Sequence, residues 1–485
     1  MSHQLILFSF LGYTFLLFVV SFFTSRKSNN ESYFVGNRVS PWYVVAYGMI
    51  GASLSGVTFI SVPGWVTSTQ FSYMMVVIGY LLGYFTIARV LLPLYYKLQL
   101  TSIYSYLDGR FGFWSYKTGA FYFLLSRVIG ASFRMFLVIN VLQLFVFDSY
   151  DIPFWVTVVI FMLLINLYTF KGGIKTIVWT DTLQTTFMLA AVGITIYFIK
   201  DEMATTIGSL INGVVDGDYS KMIFTNWQDK RFFVKEFFSG AFLAIVMTGL
   251  DQDMMQKNLS CKNLKDAQKN IISLSWVLVP VNLLFLSLGA VLVIFANTKG
   301  INIEGTSDNL FPTIALNYLG PVAGITFIIG LISAAYSSAD SALTALTTSF
   351  TVDFLGVNKK GKFTEKQKTR TRYFAHFGIA IFLIFVIVLF KAINNEAVIS
   401  ELFTIAGYTY GPLLGLFAYG LFSKKKVKDS FVPLVAVLSP LLCYFISSNS
   451  VAWLWGYKFG FELLILNGLI TYLGLYLIRR KDRKN

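Results

Sequence analysis

Apolar residues run through this chain in long blocks, separated by short polar stretches rather than alternating with them. A block of roughly 20 apolar residues is the length of helix that crosses a hydrocarbon core. Thirteen such blocks are predicted, at about 4–25, 41–68, 73–95, 119–147, 151–170, 178–199, 232–255, 270–296, 312–350, 371–391, 398–422, 429–446 and 459–478. The first is too long for a signal-peptide core and lacks a basic leader and a cleavage site, so it is read as a retained helix. The longest polar stretches, about 200–231 and 353–370, read as loops, and no Pro/Ser-rich linker or soluble unit interrupts the pattern. The expectation is one all-α transmembrane domain over residues 1–485.

Composition agrees: 56% of residues are hydrophobic and 13% charged, against roughly a quarter charged in soluble domains. The net charge of +15 would point to nucleic acid in a soluble protein, but the loops explain it by topology. With the N-terminus outside, 28 of the 39 Lys and Arg fall in inner segments, eight in outer ones and three within blocks. The inner set includes Lys257, Lys262, Lys265 and Lys269. This predicts a plasma-membrane (bacterial inner-membrane) protein with a cytoplasmic C-terminus, the bilayer as partner and no nucleic acid. Two cysteines, Cys261 and Cys443, and two histidines, His3 and His376, exclude a disulfide framework and a Cys/His metal cluster.

Lipid offers no hydrogen bonds to a backbone, so an interrupted crossing marks a protein-lined cavity. The second block carries Gly51-Ala52-Ser53-Leu54-Ser55-Gly56-Val57-Thr58 near its midpoint. Such a run either unwinds to expose carbonyls or lets a neighbouring helix pack closely. In the ninth block, Ser333, Ser337, Asp340, Ser341, Thr344 and Thr348 recur at steps of three and four and share one helix face. A carboxylate among hydroxyls is out of place against lipid. Oxygen donors without imidazole or thiolate suit a hard cation such as Na⁺. Asp181, in Val178-Trp179-Thr180-Asp181-Thr182-Leu183-Gln184, falls at the depth expected for Ser337 to Asp340. A first-turn acid at a helix N-terminus is the plainer explanation for it.

Three arginines lie inside blocks. Arg89, near an inner end before Pro93, reaches the interface. Arg127 and Arg134 are one heptad apart on the fourth block, with Arg134 near mid-membrane. A guanidinium at that depth calls for a cavity, an acid partner or an anionic substrate, and a structural ion pair answers equally well.

Several segments, taken in order, carry a resemblance. They are the Gly51–Thr58 run followed by Phe59 and Pro63, and Lys171-Gly172-Gly173-Ile174 leading into Val178-Trp179-Thr180-Asp181. Asp251-Gln252-Asp253-Met254-Met255-Gln256-Lys257-Asn258-Leu259, Ala334 with Ser337-Ser338, and Gly407-Tyr408-Thr409-Tyr410-Gly411-Pro412-Leu413-Leu414-Gly415 complete the set. From about residue 30 to about 425 the succession resembles the sodium:solute symporter family. The resemblance implies a LeuT-type fold: two inverted five-helix repeats, about 41–199 and 232–422, with one helix before and two after. It implies a principal Na⁺ site from the carbonyls of Gly51, Leu54 and Ala334 and the hydroxyls of Ser337 and Ser338. A second cation site, present in some members, maps to Asp181, Ser337, Asp340 and Ser341. Asp340 stands where a small residue is usual, which leaves sodium or a proton as its partner. Ser53 stands where several members carry Asn or Asp. Solute contacts are expected from Ser55, Thr58 and Arg134.

The expected function is sodium-coupled symport of a small polar solute by one chain acting as a monomer. Arg134 favours an organic anion or sugar acid, with neutral sugars, amino acids and polyols open. Proton coupling through Asp340 and Asp181 is the rival within transporters. An intramembrane enzyme would have only the Asp181–Asp340 pair to work with. A transporter-like sensor would be expected to carry a fused output domain where this sequence has a short basic tail.

Overall fold

The computed structural model describes residues 3–26, 29–359, 361–393 and 398–480. Its main helices are α1 (His3–Thr24), α2 (Trp42–Thr69), α3 (Tyr73–Lys97), α4 (Phe113–Phe145), α5 (Phe154–Thr169), α6 (Ile174–Glu202), α7 (Phe233–Gly249) and α8 (Gln252–Leu259). They continue as α9 (Leu264–Lys299), α10 (Gly320–Phe354), α11 (Glu365–Ile393), α12 (Val398–Phe422), α13 (Val432–Ser448) and α14 (Leu463–Leu477). Each predicted block falls on one of these, except that the block at 232–255 is α7 and α8, bent by 65°, and the block at 312–350 is α10 with a short helix before it. Among the described residues nine helices are long and apolar enough to cross a membrane, ten if the bent pair is one crossing.

The block at 312–350 begins later than its apolar pattern implies. Leu310–Asn317 is a separate short helix, and α10 starts at Gly320 with φ +78° and Pro321 behind it. Glycine makes the left-handed turn and proline opens the new helix. Leu310, Phe311 and Ile314 are apolar because they are buried in protein, not because they face lipid.

Hydrogen bonds between loops respect the two-sided assignment. Gln70 Nε2 donates to the Asp218 carbonyl at 2.6 Å and Gln228 Nε2 to that of Trp455 at 2.6 Å, all at the predicted outer end. At the predicted inner end, Ser40 N donates to Ser260 O at 3.0 Å and Ser115 N to Asp429 Oδ1 at 2.8 Å.

Glycines set the closest helix contacts. A Cβ at Gly289 of α9 would lie 2.7 Å from Pro63 Cα of α2. One at Gly240 of α7 would lie 2.7 Å from the Val76 carbonyl carbon of α3. Hydrogen is the only side chain these crossings admit. Thus α2 packs on α9 and α7 on α3, while α6 and α10 pack on each other.

Candidate solute cavity and cation site

The interruption in α2 is confined to one residue. Ser55 takes φ +50°, ψ 173°, and the rest of Trp42–Thr69 is helical. One non-helical residue breaks the i→i−4 ladder, so carbonyls in the turn before it lose their donors. The flanking glycines serve packing instead. A Cβ at Gly48 would lie 2.9 Å from Asp181 Cβ, and one at Gly51 would overlap Thr185 Oγ1 and approach Thr185 Cα to 3.3 Å. Thr185 Oγ1 accepts from Gly51 N at 3.1 Å and donates to Asp181 O at 2.8 Å. Both readings of the Gly/Ser run therefore hold, at different residues. Gly51→Ala is expected to lower the detergent-state melting temperature through about 1–3 kcal/mol of overpacking. An unchanged melting temperature would show that the α2–α6 contact is looser than this.

The polar face of α10 points inward: Ser333, Ser337, Ser338, Asp340, Ser341, Thr344 and Thr348 are all buried. Ser337 Oγ donates to Asp181 Oδ1 at 2.7 Å, so the two acids' helices meet as the shared depth predicts. Tyr168 of α5 donates to Asp340 Oδ2 at 2.8 Å. The hydroxyls of Ser338 and Ser341, with Asp340 Oδ1, have no hydrogen-bond partner. Unpartnered buried oxygens cost free energy unless something fills them, and this donor set suits a hard cation. The packing of α10 on α2 brings this face to the helix that carries the break.

One residue corrects the sequence reading. Lys257, counted with the inner set, is buried in α8 at 1% exposure with Nζ 2.7 Å from Asp181 Oδ2. The bend between α7 and α8 turns this segment back into the protein, and Gln252 through Leu259 are all buried. Hydropathy cannot register such a turn, because a buried polar helix and a polar loop have the same composition. Asp181 is accordingly a mid-protein acid with two partners, not simply a helix-start residue.

Ser55, Thr58 and Arg134 line one cavity. The two arginines divide the earlier alternatives between them. Arg127 is the structural one: it pairs with Asp253 and lies 3.8 Å from Asp251, whose Oδ2 accepts Tyr410 OH at 2.6 Å. Arg134 belongs to no ion pair among the described residues, and its buried Nε has no partner. Tyr73, Tyr80 and Tyr84 of α3, Thr248 of α7 and Asn282 of α9 also line the cavity. These were missed because they are scattered single residues without a motif. Tyr80 and Tyr84 do follow Tyr73 at helical steps, and that was the available signal.

An aromatic layer separates this cavity from a larger hollow at the other end of α2. Tyr73 stacks on Phe403 at 6.2 Å, Phe403 meets Phe461 at 4.9 Å, and Trp65 meets Phe461 at 6.0 Å. Tyr73 and Phe403 face the inner cavity, and Trp65 and Phe461 the outer hollow. In the loop at the hollow's rim, hydrogen bonds from Arg231 hold the Asp229 carboxyl below the usual carboxylate range.

Comparison with known proteins places the chain. It is 24% identical over 452 residues to the sodium/sialic acid symporter of Proteus mirabilis, covering 87% of this chain and 86% of that one. It is 24% identical over 463 residues to the sodium/sialic acid symporter of Aliivibrio fischeri, covering 90% and 86%. The fold superposes on a solved Na⁺-coupled sialic acid symporter in a substrate-bound outward-open state. That match has a TM-score of 0.82 and 19% identity, covering 98% of this chain and 97% of that one. The LeuT-type fold is thus shared end to end. A profile of the family matches residues 33–429, and the chain belongs to the sodium:solute symporter family, as an integral membrane transporter coupled to Na⁺ and not an enzyme.

Proposed function

We propose that this symporter carries a sugar acid of the sialic-acid kind, a carboxylate on a hydroxyl-rich body. The observation that carries the reading is Arg134, a buried guanidinium that faces the cavity and has no acid partner among the described residues. Its planar fork matches a carboxylate. The tyrosines, Thr248 and Asn282 give hydroxyl and amide groups for the rest of the solute, with Ser55 and Thr58 beside the α2 break. The curated relatives, named for sialic acid, support the same class.

Sodium is carried as the second substrate. The principal site uses the carbonyls of Gly51, Leu54 and Ala334 and the hydroxyls of Ser337 and Ser338, and the unpartnered Ser338 Oγ supports it. An ion there joins α2 to α10 while the solute pocket is formed. Its loss to the cytoplasm releases the two helices and opens the inner path, and the aromatic layer closes the outer one. Each sodium moving down 100 mV supplies about 2.3 kcal/mol, roughly 50-fold accumulation from voltage alone.

We place the inverted repeats at about 41–199 and 232–422. The two broken elements, α2 and the α7–α8 pair, open the two halves. The first helix of each half packs on the second helix of the other, α2 on α9 and α7 on α3, which is the pairing an inversion axis generates. The chain acts singly in the plasma membrane, N-terminus outside and C-terminus in the cytoplasm.

Thermal unfolding of the purified protein tests this. NaCl, but not matched KCl, should raise the melting temperature, and sialic acid should raise it further only with sodium present. Ser338→Ala should weaken the sodium shift, and an unchanged shift would remove Ser338 from the site. A shift that follows pH and ignores sodium would favour proton coupling at Asp340, whose Oδ1 has no partner.

A further inference from the structure

Where the family resemblance maps a second cation, the protein already holds one of its own. Lys257 Nζ stands 2.7 Å from Asp181 Oδ2, both side chains 1% exposed. The other oxygen, Oδ1, accepts Ser337 Oγ at 2.7 Å. Oδ1 thus holds a hydrogen bond, and Oδ2 faces a full positive charge as an ion pair without a hydrogen bond. A sodium ion at Asp181 would have to lie against an ammonium in a site closed to water.

Charge counting leads the same way. Asp181, Asp340 and Lys257 together carry one net negative charge when both carboxylates are ionised. One sodium makes the group neutral, whereas two would leave a buried net positive charge, which is costly inside a membrane protein. The uncompensated charge sits on Asp340, on the same α10 face as Ser337 and one turn along it. There its field favours a cation at the principal site rather than at Asp181.

The lysine reaches this place through the fold. The 65° bend between α7 and α8 carries Lys257 inward, and no residue of α8 is left at the surface. An ammonium resembles Na⁺ in charge and in its demand for oxygen partners, but it is tethered and cannot be transported.

We propose that the Lys257 ammonium is the resident occupant of the second cation site, so that each cycle carries one sodium ion rather than two. The proposal rests on the sodium-symport reading above and concerns only the number of ions. Saturation binding of radiolabelled sodium to the purified full-length chain tests it. One ion per chain is expected for the wild type and two for Lys257→Gln, where the vacated charge on Asp181 admits a second ion. Two ions on the wild type overturn the proposal. One on both proteins overturns it as well, since the lysine then excludes nothing. The neutral pair Asp181→Asn/Lys257→Gln guards against a misfolded single variant. It should bind one ion, and two would put the extra ion away from Asp181. No binding to the wild type, or wild-type binding that survives intact in Ser338→Ala, strikes the principal-site reading instead and is distinguishable from these outcomes.

Discussion

Arg134→Ala is expected to abolish concentrative uptake of a sialic-acid-type solute while leaving the sodium-induced rise in melting temperature in place. The guanidinium is buried, faces the cavity and has no acid partner among the described residues. Its charge is therefore available to a carboxylate that arrives with the solute. Truncating one partner of a buried, hydrogen-bonded charge pair costs about 2–5 kcal/mol, or roughly 30-fold to several-thousand-fold in affinity. Arg134→Lys should recover little, because a point charge does not reproduce the planar two-donor fork. Arg127→Ala provides the contrast. It strands Asp253 and Asp251, so it should lower stability whether or not solute is present. Uptake in Arg134→Ala with an unchanged KM would show that the solute is held elsewhere.

Asp181→Asn is expected to be the most destabilising single substitution in the cation region. It removes the charge partner of a lysine that is 1% exposed, and breaking a buried pair from one side costs about 3–5 kcal/mol. The measurement is the melting temperature and folded yield in detergent, with Asp181→Asn/Lys257→Met alongside. The double variant should recover most of the loss, because removing both charges leaves nothing unpaired. The two single variants should also differ from each other. Sodium can replace the ammonium lost in Lys257→Gln, but nothing supplied in solution replaces the carboxylate lost in Asp181→Asn. A single variant as stable as the wild type would mean that water or another acid reaches Lys257.

Much of this was legible in the chain before folding. The apolar blocks and the distribution of Lys and Arg specify a polytopic membrane protein, because the bilayer imposes both patterns on any sequence that crosses it. The polar face of α10 was readable too, since three- and four-residue spacing is a property of the helix itself. The Gly51–Thr58 run announced a special point in α2 but did not say which residue unwinds. Ser55 does so, while Gly48 and Gly51 make room for Asp181 and Thr185.

The roles of the charges needed the tertiary structure. Arg127 and Arg134 are indistinguishable by depth and spacing and both line the cavity, yet Arg127 is paired with Asp253 and Arg134 is in no ion pair among the described residues. Lys257 has the sequence neighbourhood of an inner loop and is one of the most buried side chains in the molecule. Periodicity and composition report what a segment's immediate surroundings must be, lipid, water or protein. They carry no information about which distant side chain stands opposite, and in a low-dielectric interior that partner decides whether a charge holds the fold together, takes a solute or occupies an ion's place.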